Sequence, residues 1–176
     1  MPPALQVLSA LGVRDLEGIP FEGIRYVDGD CVAEARFGMG PGMGVRRTVL
    51  HQALSDRAQA LGIAVVATRV KNWSQDAEGV VVEGERGRWL LAADGLQSPI
   101  RSRLGLQRQP RLPPRIGIRR HFKVTPWSPF VEIHWHPDAE AYVTPIGTDM
   151  VGIALLYAAD AEPPGTGEPW TRWFSA

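Results

Sequence analysis

Cysteine is nearly absent from this 176-residue chain: Cys31 stands alone. No disulfide can close within it, a cysteine-based metal site is not expected, and the usage suits a reducing cytoplasm. Charge of one sign is absent too. Nineteen basic and nineteen acidic side chains leave a formal net charge of zero, so no electrostatic footprint for nucleic acid or an anionic membrane surface appears. No run approaches the roughly 20 apolar residues of a membrane span, so no integral membrane segment is expected. Met1-Pro-Pro-Ala-Leu-Gln-Val-Leu8 has no basic stretch ahead of an apolar core, so it does not read as a signal peptide. The sequon at Asn72-Trp73-Ser74 is accordingly read as chance, and the expected location is cytoplasmic. A Gly-x-Ser-x-Gly nucleophile elbow is also missing.

What is present reads as one domain or two small ones. Leu5, Val7, Leu8 and Leu11 mark a short amphipathic helix that Gly12 can end. Asp28-Gly29 between Gly23–Val27 and Cys31–Phe37 signals a hairpin. Gly38–Gly44 is too rich in glycine to be regular and reads as a mobile loop. From Arg47 to Leu61, apolar residues recur at three- and four-residue spacing, and Gly62 closes the helix. Ile63–Ala67, a stretch near Val70, Gly79–Glu83 and Trp89–Ala93 read as strands. Prolines 110, 113 and 114 mark a boundary. Beyond it Ile116–Val124, Val131–Trp135, Ala141–Pro145 and Met150–Tyr157 read as antiparallel strands, and a helix begins near Trp170–Phe174. The fold class is α/β (α+β), with domains at 1–112, carrying an inserted hairpin, and 113–176.

Three clusters invite a chemical reading. The Gly38–Gly44 glycines precede a helix, yet a dinucleotide fingerprint needs glycines at its first, third and sixth places. Met43, Val45 and Arg47 stand at the sixth place in the three registers, so none is satisfied. His134 and His136 share a strand face with Glu132, but without a supporting cluster no metal is expected. The third cluster is Ala93-Asp94-Gly95-Leu96-Gln97-Ser98-Pro99-Ile100-Arg101. A glycine after a strand permits close backbone approach to a ligand. Ser98 suits an N-cap and Pro99 the first helical position, which would aim backbone N–H groups into the turn as an anion rest.

The order of these elements resembles one family, the class A flavin-dependent monooxygenases, a para-hydroxybenzoate hydroxylase-like group with geranylgeranyl-reductase relatives. Its Arg-x-x-Leu-x-x-x-Leu helix start is matched by Arg47, Leu50 and Leu54. Its Ala-Asp-Gly-x-x-Ser-x-x-Arg motif is matched by Ala93, Asp94, Gly95, Ser98 and Arg101. The resemblance covers about Leu5 to Tyr157. It implies a partial Rossmann-like FAD-binding layer, an antiparallel substrate domain from about Ile116, FAD as cofactor and NAD(P)H as electron donor. Arg47 would contact FAD near its pyrophosphate or ribityl chain, the Val70 backbone would meet the adenine, and Asp94-Gly95 would support the pyrophosphate and the approach of the nicotinamide. Because a carboxylate repels a diphosphate, Asp94 is expected to accept hydrogen bonds from turn N–H groups or ribityl hydroxyls instead.

In that family reduced flavin reacts with oxygen, and one oxygen atom passes to a small organic substrate, whereas the related reductases omit oxygen insertion. No catalytic acid or base is nominated by the sequence. The family's opening GxGxxG unit and its later Gly-Asp segment are not found in this sequence, so an internal piece of a longer flavoprotein is expected. The alternative is a non-catalytic α+β module in which Trp127, Phe130, Trp135 and Tyr142 line a pocket for a small apolar ligand.

Overall fold

The computed structural model describes residues 1–108, 113–137 and 139–160. The chain divides into two compact units, Met1–Ile63 with Leu112–Ala176, and Ala64–Arg111. The helix expected near Trp170 lies outside the described residues.

The first unit opens with α1 (Pro2–Ala10), β1 (Ile19–Phe21), β2 (Gly23–Asp28), β3 (Cys31–Arg36), β4 (Gly42–Gly44) and α2 (Arg47–Ala60). Proline at the first turn of α1 costs no hydrogen bond, since the N–H it lacks would have no partner there. The β2–β3 hairpin closes on the pair Asp28 and Cys31, with Gly29 at φ +54° supplying the left-handed turn geometry. Helix α2 ends where Gly62 adopts φ +70° and donates back to the Gln59 carbonyl.

The second unit holds β5 (Trp73–Asp76), β6 (Gly79–Val82), β7 (Glu85–Gly87) and α3 (Pro99–Arg103), with β5–β7 forming an antiparallel meander. Two segments that read as strands, Ile63–Ala67 and Trp89–Ala93, pair with nothing among the described residues. Val65 is 81% and Leu91 86% exposed. Apolar residues on both faces suit a strand buried between neighbours in a parallel layer. Without such neighbours their N–H and C=O groups have no ladder to join, so the expected strands do not form.

The first unit resumes with β8 (Arg115–Phe122), β9 (Phe130–His136), β10 (Ala139–Gly147) and β11 (Met150–Ala158). A six-stranded sheet runs in the order β3-β2-β9-β10-β11-β8, with β2 parallel to β9 and every other neighbour antiparallel. Hairpin β2–β3 is therefore part of the same sheet as the four later strands. One face carries the core: Ala141, Val143, Val151, Ile153 and Leu155, with Ile118 and Phe122 packed against them. Burial alternates residue by residue along β10, as a one-sided sheet demands.

The glycine-rich loop is half strand. Gly42–Gly44 pairs antiparallel with Ile19–Phe21, and Gly42 and Gly44 are buried. A Cβ placed on Gly44 would lie 1.8 Å from the Pro145 carbonyl oxygen, and one on Gly42 would lie 2.5 Å from the Phe21 ring. These glycines serve close packing, which no mobile loop would require. Gly38 and Gly40, by contrast, have open space around them.

Candidate functional site

Helix α2 carries Arg47 at its first position, after Arg46 in extended conformation at the N-cap. No side chain caps this terminus, and no acidic residue occupies its first turn. The exposed amide hydrogens therefore leave partial positive charge there. Arg47 lines a cavity of about 270 Å³ within the first unit. Phe21, Met43 and Val45 form one side of it, and Arg119, His121, Tyr142 and Thr144 rise from the face of the sheet opposite the core. Arg46, Arg47 and Arg119 line it, and no carboxylate is among its described lining residues. The Tyr142 hydroxyl donates to Glu140 at 2.6 Å, and Arg115 pairs with the same carboxylate at 2.9 Å. These two bonds hold the Glu140 carboxyl below its usual range, and the first raises the Tyr142 phenol.

The other three nominated residues lie in the second unit. Val70 and Asp94 line one cavity of about 850 Å³ with Arg69, Ala93, Gln97 and Pro99. Gly95 follows at φ +87°, the left-handed geometry the Asp-Gly signal anticipates. Just past Val70, the Lys71 and Asn72 N–H groups both donate to Glu83, which depresses that carboxyl and ties the segment to the meander. Arg103 donates to the Lys71 carbonyl at 3.1 Å and stacks over Trp73 at 5.3 Å.

Two local expectations change. Ser98 does cap α3, accepting from the Arg101 N–H at 3.0 Å, but that bond occupies one of the few donors of a five-residue helix. The turn is consequently a poor anion rest by itself. Among the described residues, Asp94 accepts no hydrogen bond from its turn, which leaves the ribityl hydroxyls of the original expectation. Ser98 and the Arg101 guanidinium, which donates to the Leu96 carbonyl, hold the loop instead.

On the core face, Glu132 is 4% exposed and fully engaged. It accepts from Arg25 at 2.7 Å and from the Trp127 indole at 3.2 Å, and bonds His134 at 3.1 Å. The His134 bond is the largest influence holding its carboxyl down to about 2, with the Trp127, Ser128 and Arg25 bonds adding to it and burial opposing. Arg25 also bridges to Glu34 at 2.7 Å and lies over Phe130. Glu132 thus closes a structural knot between β2 and β9. No group of three metal-ligating side chains occurs among the described residues. The four aromatics of the alternative module do not meet either. Phe130 shares the Glu132 face and Trp127 bonds Glu132, whereas Trp135 and Tyr142 occupy the opposite face.

Sequence reading overlooked Arg119 and His121. Their spacing of two on a strand was a readable sign of a shared face. Their pairing with β11, and through it β10, was not.

The described residues form an α+β fold of mixed and antiparallel sheets, and that fold is shared with solved flavoproteins. No family model and no curated protein matches the sequence, but solved structures do. The flavoprotein/dehydrogenase from Cytophaga hutchinsonii superposes with a TM-score of 0.79 at 18% identity, over 93% of this chain and 48% of that one. PqsL from Pseudomonas aeruginosa, described as a probable FAD-dependent monooxygenase, gives 0.70 at 20% identity, over 89% and 49%. Klebsiella pneumoniae HpxO, solved with FAD and uric acid, gives 0.68 at 19% identity, over 99% and 51%. The chain spans about half the length of these structures. No described helix is long and apolar enough to cross a membrane.

Proposed function

We propose that this chain supplies the central part of a FAD-dependent, NAD(P)H-consuming oxidoreductase of the flavin monooxygenase type, acting on a small organic substrate. The observation that carries the reading is the placement of Arg47 at an uncapped helix start, lining a carboxylate-free cavity in a chain with this fold. HpxO holds FAD, and PqsL has been solved with 2-aminobenzoylacetate. Both precedents suit a cofactor and a compact organic substrate here.

Taken unit by unit, the residues present suit separate parts of FAD. A guanidinium and a free helix N-terminus suit a diphosphate or the adjoining ribityl chain. The cavity beside Val70 is roomy and mixed in polarity, as an adenine with its ribose requires. Gly95 presents backbone without a side chain. Asp94, with no bond inside its turn, keeps both carboxylate oxygens for ribityl hydroxyls. Bound FAD would take up hydride from NAD(P)H and, once reduced, react with oxygen. The chain's own part is to bind, orient and shield. Arg47 neutralises phosphate charge, and the Phe21, Met43 and Val45 side of the cavity excludes water.

The test is an equilibrium titration of the chain with FAD, followed by flavin fluorescence. Weak saturable binding is expected. Arg47→Ala should weaken it by the worth of charge-assisted hydrogen bonds, about 1.5–3 kcal/mol or roughly 10- to 150-fold, while Arg86→Ala on the meander leaves it unchanged. Binding indifferent to Arg47 would remove the assignment.

A further inference from the structure

The six-stranded sheet ends at β8 on one side and at β3 on the other, and neither outer edge is paired among the described residues. Strand β8 is the longer of the two and meets β11 in one unbroken register. Its hydrogen-bond phase follows from the next pair in that register, where the Ala159 N–H donates to the Pro114 carbonyl at 3.0 Å. In an antiparallel ladder such pairs alternate, so Ile116, Ile118, Arg120 and Phe122 turn their backbone toward β11. Arg115, Gly117, Arg119 and His121 therefore aim their N–H and C=O groups outward. An edge of this kind, roughly 26 Å long, is a template for an added strand.

Charge decides which strand can be added. No Asp or Glu occurs between Gly95 and Val131, whereas Arg115, Arg119, Arg120 and Lys123 lie on β8 or just past its end. Arg115 leans inward to Glu140, but Arg119 and Lys123 form no ion pair among the described residues. A second copy of β8 laid antiparallel would set cations against cations. The β3 edge of a second copy is no better matched, since its one carboxylate, Glu34, is held by Arg25 at 2.7 Å. The cations thus close this edge to another copy of the chain and leave it open to an acidic strand. On the core face β8 carries Ile116, 42% exposed, with Ile118 and Phe122 half-buried.

We infer that the outer edge of β8 is a docking site for an extended segment of a partner protein in which acidic and apolar residues alternate. Directly opposed residues share a face, so the residues bonded to Gly117, Arg119 and His121 are the acidic ones, set beside the cations. The residues between them are apolar and cover Ile116, Ile118 and Phe122, extending the core face by one strand. Backbone bonds supply the affinity and the alternation supplies the specificity. Arg119 and His121 also border the Arg47 cavity, whereas Gly117 and Lys123 do not, so the edge can be probed apart from it.

The probe is a synthetic peptide alternating glutamate and valine over about ten residues, long enough to span β8. A block peptide of the same composition and a lysine–valine alternation are its controls. Binding to the full chain is followed by fluorescence anisotropy and by amide hydrogen exchange. The alternating acidic peptide should bind at least tenfold more tightly than either control. It should slow exchange at the Gly117, Arg119 and His121 amides, while those of Ile118 and Arg120, already within the ladder, stay as they were. Gly117→Pro removes an outward N–H and no bond to β11, so it should abolish binding while the Ile118 and Arg120 amides remain protected. Lys123→Glu, which leaves the strand backbone intact, should lower affinity for the acidic peptide several-fold and raise it for the lysine alternation. Binding without slowed exchange at the three amides, equal affinity for the block peptide, or indifference to both variants would overturn the inference. So would a dimer in sedimentation that protects the same amides without peptide, which would give the edge to a second copy.

Discussion

Replacing Glu132 by glutamine keeps the side-chain shape and removes the acceptor charge on which Arg25, Trp127 and His134 converge. Holding the carboxyl at about 2 against an ordinary 4.5 is a linkage statement worth about 3 kcal/mol, at about 1.4 per unit. The folded-state value is depressed, so the contribution is fully present above pH 4.5 and fades as pH falls toward 2. At pH 3 about 2 kcal/mol of it should already be gone. Glu132→Gln also leaves Arg25 facing an amide, and a broken buried pair costs about 3–5 kcal/mol. The variant should therefore be roughly 3 kcal/mol less stable at pH 7 by urea unfolding. Its deficit should shrink by about 2 kcal/mol at pH 3, where the wild-type carboxyl is close to protonation in the unfolded chain and the charge advantage is spent. Other depressed carboxyls such as Glu140 titrate in both proteins and cancel in the difference. A deficit that stays constant between pH 7 and pH 3, or a Glu132 carboxyl carbon that titrates near 4.5 by NMR, would refute this account of the knot.

Gly44→Ala should cost about 3 kcal/mol, because its Cβ would run into the Pro145 carbonyl, which is backbone rather than the end of a flexible side chain. Thermal unfolding measures it, and Gly40→Asn, at φ +89° in open space, should cost far less. Purified with excess FAD and gel-filtered, the chain alone should emerge without stoichiometric flavin. The glycine-turn donors that dominate dinucleotide binding in such folds have no counterpart in its sequence, and one flavin per chain by absorbance would contradict this.

Local signals in the sequence survived translation into structure where the physics is local. Asp28-Gly29 made its hairpin, Gly62 closed its helix and Ser98 capped α3, because each depends on residues within about four positions. Alternation located β8 to β11 for the same reason. The reading failed where a segment's state depends on a distant partner. Ile63–Ala67 and Trp89–Ala93 have strand composition, but a strand exists only in its ladder. Gly42–Gly44 has loop composition, yet it is a strand because it pairs with Ile19–Phe21, with glycine required where Gly44 passes the Pro145 backbone and Gly42 the Phe21 ring.

The candidate site divides along the same line. Gly95 and Arg47 were legible because a left-handed turn and a helix start are written next to the residues that use them. The cavity beside Arg47 was not, since the sheet positions that line it, 119, 154 and 142, and 121, 152 and 144, are brought together by strand pairing, and no periodicity within one strand announces which small residue will face which cation. What each strand does carry is the half-pattern: Arg119 and His121 alternate with Ile118, Arg120 and Phe122, and Gly152 and Ala154 alternate with Val151, Ile153 and Leu155. The buried Val151, Ile153 and Leu155, with the half-buried Ile118 and Phe122 against them, fix the register through the core. A one-residue slip would put Arg119 against the core in place of Ile118. Packing on the core face therefore selects the single register that also brings cation, small residue and hydroxyl into line on the other, so the face that lines the cavity inherits its geometry from hydrophobic burial it takes no part in.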